Sequence, residues 1–146
     1  MSRRVARELA LRALYAHELS GNPIGDIVSE MIDTSPEDET VREFAKVLFV
    51  RTAEGKKELD AYIIKRTKNW DFERVAVIDK LVMRFAVCEF LHFEDIPPKV
   101  SIDEAIEIVK KYSTENSGQF INGILDGILQ DIKSANLLKK KGRGLT

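Results

Sequence analysis

The chain has one cysteine, Cys88, so it forms no internal disulfide, and no Cys/His/carboxylate spacing in it fits a zinc or calcium site. Histidine is almost as scarce: His17 and His92 stand far apart and neither is near Cys88 in sequence. Four prolines and eight glycines leave little turn material, which argues against a sandwich of many short strands and for long helices with few connections. No uncharged apolar stretch approaches the roughly 20 residues of a membrane span. Arg7, Glu8 and Arg12 interrupt the apolar run that a signal peptide needs. A cytoplasmic protein is expected. What remains is sufficient for a core, since 146 residues with 44% hydrophobic and 32% charged side chains suit one globular domain.

The net charge of −1 conceals an uneven distribution. Arg3, Arg4, Arg7 and Arg12 outnumber Glu8 and Glu18 at the start, residues 26–60 are strongly acidic, and Lys139, Lys140, Lys141 and Arg143 make the end basic again. Basic ends around an acidic middle are compatible with a polyanion touching one region of the surface.

Apolar spacing follows the helical period almost throughout, which predicts about seven helices and no strands. The first spans Arg3 to Leu19 and stops at Gly21-Asn22-Pro23; the second covers Pro23 to Ile32 with Asn22 as its cap. Ser35-Pro36-Glu37-Asp38 starts a third helix that reaches Ala53, and a fourth runs from Lys56 to Lys68 after a break at Gly55. Asn69-Trp70-Asp71 is expected as a turn. From Arg74 to Phe93 only Arg74, Asp79, Lys80, Arg84, Glu89 and His92 interrupt the apolar residues, so this helix belongs at the centre of a bundle. Asp95-Ile96-Pro97-Pro98 predicts an extended linker. Ser101 and Glu104 have capping-box spacing for a sixth helix ending near Tyr112, and the seventh runs from Ser117 to Ile132. Residues 1–138 are expected to fold together, with 139–146 as a basic flexible tail.

Enzyme chemistry finds little support. Cys88 lies in the most apolar helix, where a thiol is buried and inert. Gly118-x4-Gly123 fails as a phosphate loop because Ile124 and Leu125 follow where Lys and Ser/Thr are required. Arg84 and Glu89 need internal partners within so apolar a helix, whereas Arg74 and Asp79 are better placed to reach the surface.

The first helix is more informative. At about 100° per residue, Arg3, Arg4 and Arg7 share an arc opposite Val5, Ala6, Leu9, Ala13 and Ala16, and clustered guanidinium forks suit phosphate. Leu11, Leu14 and Tyr15 continue that side, as RNA contact grading into protein contact or as a face covered by another helix of the chain. In the last helix, Gly123 and Gly127 each cost about 1 kcal/mol relative to Ala, which points to close approach by an internal helix or by a ligand.

Three segments together carry a family resemblance: Arg74-x3-Ile78-Asp79-x4-Arg84-x-Ala86-x2-Glu89, then Ile96-Pro97-x2-Val100-x-Ile102-Asp103-Glu104-Ala105-Ile106-Glu107-Ile108-x2-Lys111-Tyr112, then Ser117-x2-Phe120-Ile121-Asn122-Gly123-Ile124-Leu125-Asp126. With the arginine-rich start Arg3-Arg4-x2-Arg7-Glu8-x4-Ala13-Leu14-Tyr15, the chain resembles the NusB transcription antitermination factors over nearly its whole length. The resemblance implies an all-α fold of two packed subbundles and a non-catalytic adaptor without a cofactor. It implies binding of boxA-type RNA from ribosomal RNA leaders together with NusE, a small-subunit ribosomal protein, in the RNA polymerase antitermination complex. By resemblance Arg3, Arg4 and Arg7 contact RNA, and Tyr15, Glu73, Arg74, Asp79 and Phe120 form the partner-protein surface. Val5 interrupts the longer arginine run of some relatives. A homodimer that hides the arginines remains an alternative to a monomer. Two other readings stand beside this one: an accessory domain like that of ribosomal RNA cytosine methyltransferases, and a protein-only helical scaffold.

Overall fold

The computed structural model describes residues 2–146, apart from the side chains of Asn69 and Trp70. Helices fall where the apolar period places them, and no strand occurs among the described residues. The chain divides into two compact units, Met1–Glu54 and Gly55–Thr146.

In the first unit, α1 (Arg3–Ser20) packs on α3 (Glu39–Glu54), and α2 (Ile24–Ile27) runs into a π-helical turn, Val28–Ile32, that packs on both. Ser2 caps α1 by accepting the Val5 N–H at 3.1 Å, and Gly21, with φ 71°, ends it. The buried alanines Ala6, Ala10 and Ala13 on α1, and Ala45 on α3, have short side chains that permit close helix packing. Leu48, Phe49 and Ile32 are fully buried, and the His17 ring meets Phe49 edge-on at 6.1 Å between centroids.

Within this unit two starts differ from the sequence expectation. α3 begins at Glu39, where Asp38 Oδ1 accepts the Val41 N–H at 2.9 Å; Ser35 instead accepts from Glu37 within the preceding turn. A carboxylate nearer the helix displaces the serine as cap. Asn22 makes no side-chain cap for α2; its carbonyl oxygen instead lies 2.8 Å from His17 Nδ1.

The second unit is built on α6 (Val77–His92), in which every residue from Leu81 to Phe90 is buried. It packs against α4 (Lys56–Thr67), α7 (Pro98–Tyr112) and α8 (Glu115–Ser134). Neighbours on three sides explain why its apolar residues surround the whole helix. Arg84 and Glu89 have internal partners as expected: Arg84 donates Nε to Asp60 Oδ1 at 2.7 Å and Nη2 to Oδ2 at 3.1 Å, and Glu89 accepts from Ser101 Oγ at 2.7 Å.

That last bond replaces the expected capping box. α7 starts at Pro98, with Pro97 before it, so Ser101 lies inside the helix and turns its hydroxyl to the buried Glu89. Proline at the first turn forfeits no needed N–H. The expected turn at Asn69 is instead one helical turn, α5 (Asn69–Phe72), with Lys80 Nζ over the Phe72 ring at 4.6 Å. Lys68, between α4 and α5, has φ 66° and ψ 153°, a conformation that costs a side-chain-bearing residue about 1–3 kcal/mol. α8 starts two residues before the expected Ser117, capped by Thr114, which accepts the Ser117 N–H at 3.3 Å.

Candidate functional site

Each unit presents one surface of interest. In the first, α1 opens on two arginines and has no acidic residue in its first turn. The helix dipole favours the reverse arrangement, so positive potential accumulates at this end. Arg3 and Arg4 are exposed, and the Arg3 guanidinium lies 4.6 Å from the centre of the Phe44 ring.

Arg7 departs from the expectation of an open arginine cluster. It is only 2% exposed, with its guanidinium carbon 5.5 Å from the same Phe44 ring. One turn further along α1 than Arg3 and Arg4, its long stem is absorbed into packing. Of the apolar residues on that side, Leu11 and Leu14 are buried, which assigns them to the interior, while Tyr15 remains 41% exposed.

In the second unit, a cleft of about 460 Å³ brings together Arg74, Asp79 and Phe120, with Arg66, Lys68 and Ile124 also on its walls. Phe120, at 44% exposed, heads the α8 stripe yet turns away from the core that Ile121, Leu125 and Ile128 fill. Asp79 is buried rather than open at the surface as expected, because α8 lies over the first turn of α6. Its Oδ2 accepts from Ser117 Oγ at 2.9 Å, and among the described residues Oδ1 has no hydrogen-bond partner. Ser117 Oγ also lies within 3.2 Å of Ser113 Oγ and 3.1 Å of Thr114 Oγ1, so these hydroxyls can donate to it while it donates to Asp79. Glu73 is exposed next to Arg74 but does not line the cleft, and Tyr15 belongs to the other unit.

Arg66 is a cleft residue that sequence reasoning missed. It pairs with Asp131 through Nε–Oδ2 at 2.8 Å and Nη2–Oδ1 at 2.5 Å. The hydrogen bond from Arg66 holds the Asp131 carboxyl below its ordinary range and raises the guanidinium in return. The signal was Gly127, where an added Cβ would stand 2.9 Å from Arg66 Nε. Gly123 and Gly127 thus divide: Gly127 admits an internal side chain, whereas a Cβ on Gly123 would meet nothing within 4 Å. Lys68 and Ser117 were also missed, being polar residues at helix ends with no local pattern to mark them.

Among the described residues no group of three or more His, Cys, Asp and Glu is placed to hold a metal ion, and no helix is long and apolar enough to cross a membrane. The arrangement is suited to binding. It combines an aromatic face, an acceptor without a donor, and cations at the rim.

Comparison with known proteins agrees with this reading. The family model described as the NusB family matches residues 4–130. The transcription antitermination protein NusB of Salinibacter ruber is 44% identical over 145 residues, covering 99% of this chain and 91% of that protein. Among solved structures, T. maritima NusB superposes with a TM-score of 0.81 at 38% identity, covering 90% of this chain and 92% of that one. A chain of the crystal structure of antitermination factors NusB and NusE in complex with dsRNA gives a TM-score of 0.79 at 26% identity, over 88% of this chain and 96% of its own.

Proposed function

Because the chain belongs to the NusB family, we propose that it is a transcription antitermination factor that binds RNA together with NusE. It works in the cytoplasm as a non-catalytic adaptor within the RNA polymerase antitermination complex, and its RNA is of the boxA type found in ribosomal RNA leaders. The observation that carries the binding role is the cleft of the second unit, where the buried Asp79 offers an unused acceptor beside the exposed Phe120. A buried acceptor left without a donor costs about 1–3 kcal/mol, and a partner's donor group removes that cost on binding.

Each surface has its own task. Arg3 and Arg4 hold RNA phosphates, while Arg7 supports them from beneath by packing with Phe44, the ring on which Arg3 also lies. Single-stranded bases stack on exposed aromatic rings, so sequence preference requires no groove. Arg74, Asp79 and Phe120 receive the partner protein, with Glu73 beside Arg74 in the same unit; Tyr15, exposed on α1, is a partner contact of the first unit.

The test is a titration of labelled boxA-type RNA, against a scrambled control, with and without NusE. Tighter binding of the boxA-type RNA when NusE is present is the expected result. Equal affinity for both RNAs, unchanged by NusE, overturns the reading.

A further inference from the structure

Composition predicts a mobile tail over residues 139–146, beyond the stretch the family model matches; in the structure this segment lies against the end of α6. The Lys140 ammonium donates to Glu89 O at 2.9 Å and to Phe93 O at 2.8 Å. Each of these carbonyls already accepts one backbone N–H, from Phe93 and from Ile96, and takes the lysine as a second donor. They lie at the negative end of the helix dipole, where a cation is favoured.

The neighbouring residues extend the contact. The Lys141 N–H donates to Glu94 O at 2.9 Å, and its side chain pairs with Glu94 Oε1 at 3.4 Å. Gly144 is buried, and a Cβ there would overlap the Glu94 carbonyl oxygen. The segment closes on itself as a 3-10 turn, Gly142–Leu145, with the Gly144 N–H donating to Lys141 O at 2.9 Å. Burial lowers the Lys140 pKa, while the carboxylates of Glu89, Asp95 and Glu94 draw it upward. An ammonium withdrawn from water in this way requires replacement acceptors, and the two carbonyls supply them.

We propose that residues 139–146 form a C-terminal clasp, with Lys140 as the pin that caps α6 and Gly144 as the seat against Glu94. The clasp locks the corner Phe93–Pro97 between α6 and α7, where Ile96 is buried. It gives a strongly basic segment a packing role and withholds Lys140 from external phosphate.

Hydrogen exchange on the full chain tests this. In the wild type the amides of Lys141 and Gly144 are protected relative to a free peptide. Lys140→Met keeps the apolar stem and removes the donors, and speeds exchange at Lys141 about tenfold, the scale of a cation acting on helix C-terminal carbonyls. Gly144→Ala has the same effect while leaving every charge in place. Lys139→Met, at an exposed neighbour, leaves these rates unchanged. The amides from Leu81 to Phe90 stay protected in every variant, which separates release of the clasp from global unfolding. Free-peptide exchange at Lys141 in the wild type, or no change in either Lys140→Met or Gly144→Ala, overturns the proposal.

Discussion

Ser117 Oγ donates to Asp79 Oδ2 at 2.9 Å, a bond from α8 to the first turn of α6 that leaves Asp79 Oδ1 without a partner among the described residues. One oxygen is bonded within the fold, and the other is buried at the cleft without a donor. Function and stability therefore separate at this pair.

Asp79→Asn is expected to weaken NusE binding about tenfold to a hundredfold, the range for a hydrogen bond to a charged group. Ser117→Ala instead removes a buried donor and lowers stability by about 1–3 kcal/mol. Calorimetric titration with NusE reads the first effect and urea unfolding the second. Equal NusE affinity for Asp79→Asn and the wild type would remove Asp79 from the interface.

Arg3→Ala with Arg4→Ala should lower RNA affinity and flatten its dependence on salt, by about 0.7 in logarithmic slope for each phosphate no longer neutralised. Circular dichroism should show an unchanged fold. Arg7→Ala should behave differently, costing about 1–3 kcal/mol of stability because a buried side chain is removed. If Arg7→Ala alters the salt slope with no loss of stability, the packing role assigned to it is wrong.

The Arg66–Asp131 pair sets a pH dependence with a definite sign. Asp131 has its pKa lowered in the folded chain, so its contribution to stability is complete above the unfolded carboxyl pKa. That contribution disappears as pH falls through the lowered value. The gap in urea midpoint between the wild type and Asp131→Asn should therefore narrow as pH falls from the ordinary carboxyl range through the lowered Asp131 value. A gap that widens on acidification contradicts the pairing.

Gly127→Ala sets two small effects against each other. Alanine adds about 1 kcal/mol of helix propensity, whereas displacing the exposed Arg66 from Asp131 loses an ion pair that solvent already screens. Thermal stability should stay level or rise slightly, while the Asp131 pKa, followed by carboxyl NMR, returns toward its ordinary range. An unmoved Asp131 titration means the guanidinium found another way past the new methyl group.

Much of this protein could be read before its coordinates. The 3.6-residue apolar period placed the long helices, and the apolarity of Arg74–Phe93 marked α6 as central, because few other settings accept a helix without a polar face. The need of Arg84 and Glu89 for partners was also legible, although their identities, Asp60 and Ser101, were not. Helix starts were less secure wherever several capping residues competed, as at Ser35 against Asp38 and at Ser101 against Pro97.

What the sequence alone determined was the helical class and the residue types available for binding, since periodicity and side-chain chemistry are local properties. Tertiary structure decided exposure. It buried Arg7 and Asp79, left Phe120 open, laid Arg66 across Gly127 and seated Lys140 on the end of α6. Each of these outcomes depends on which element comes to lie over a residue, and packing between positions distant in the chain leaves no periodic mark on it.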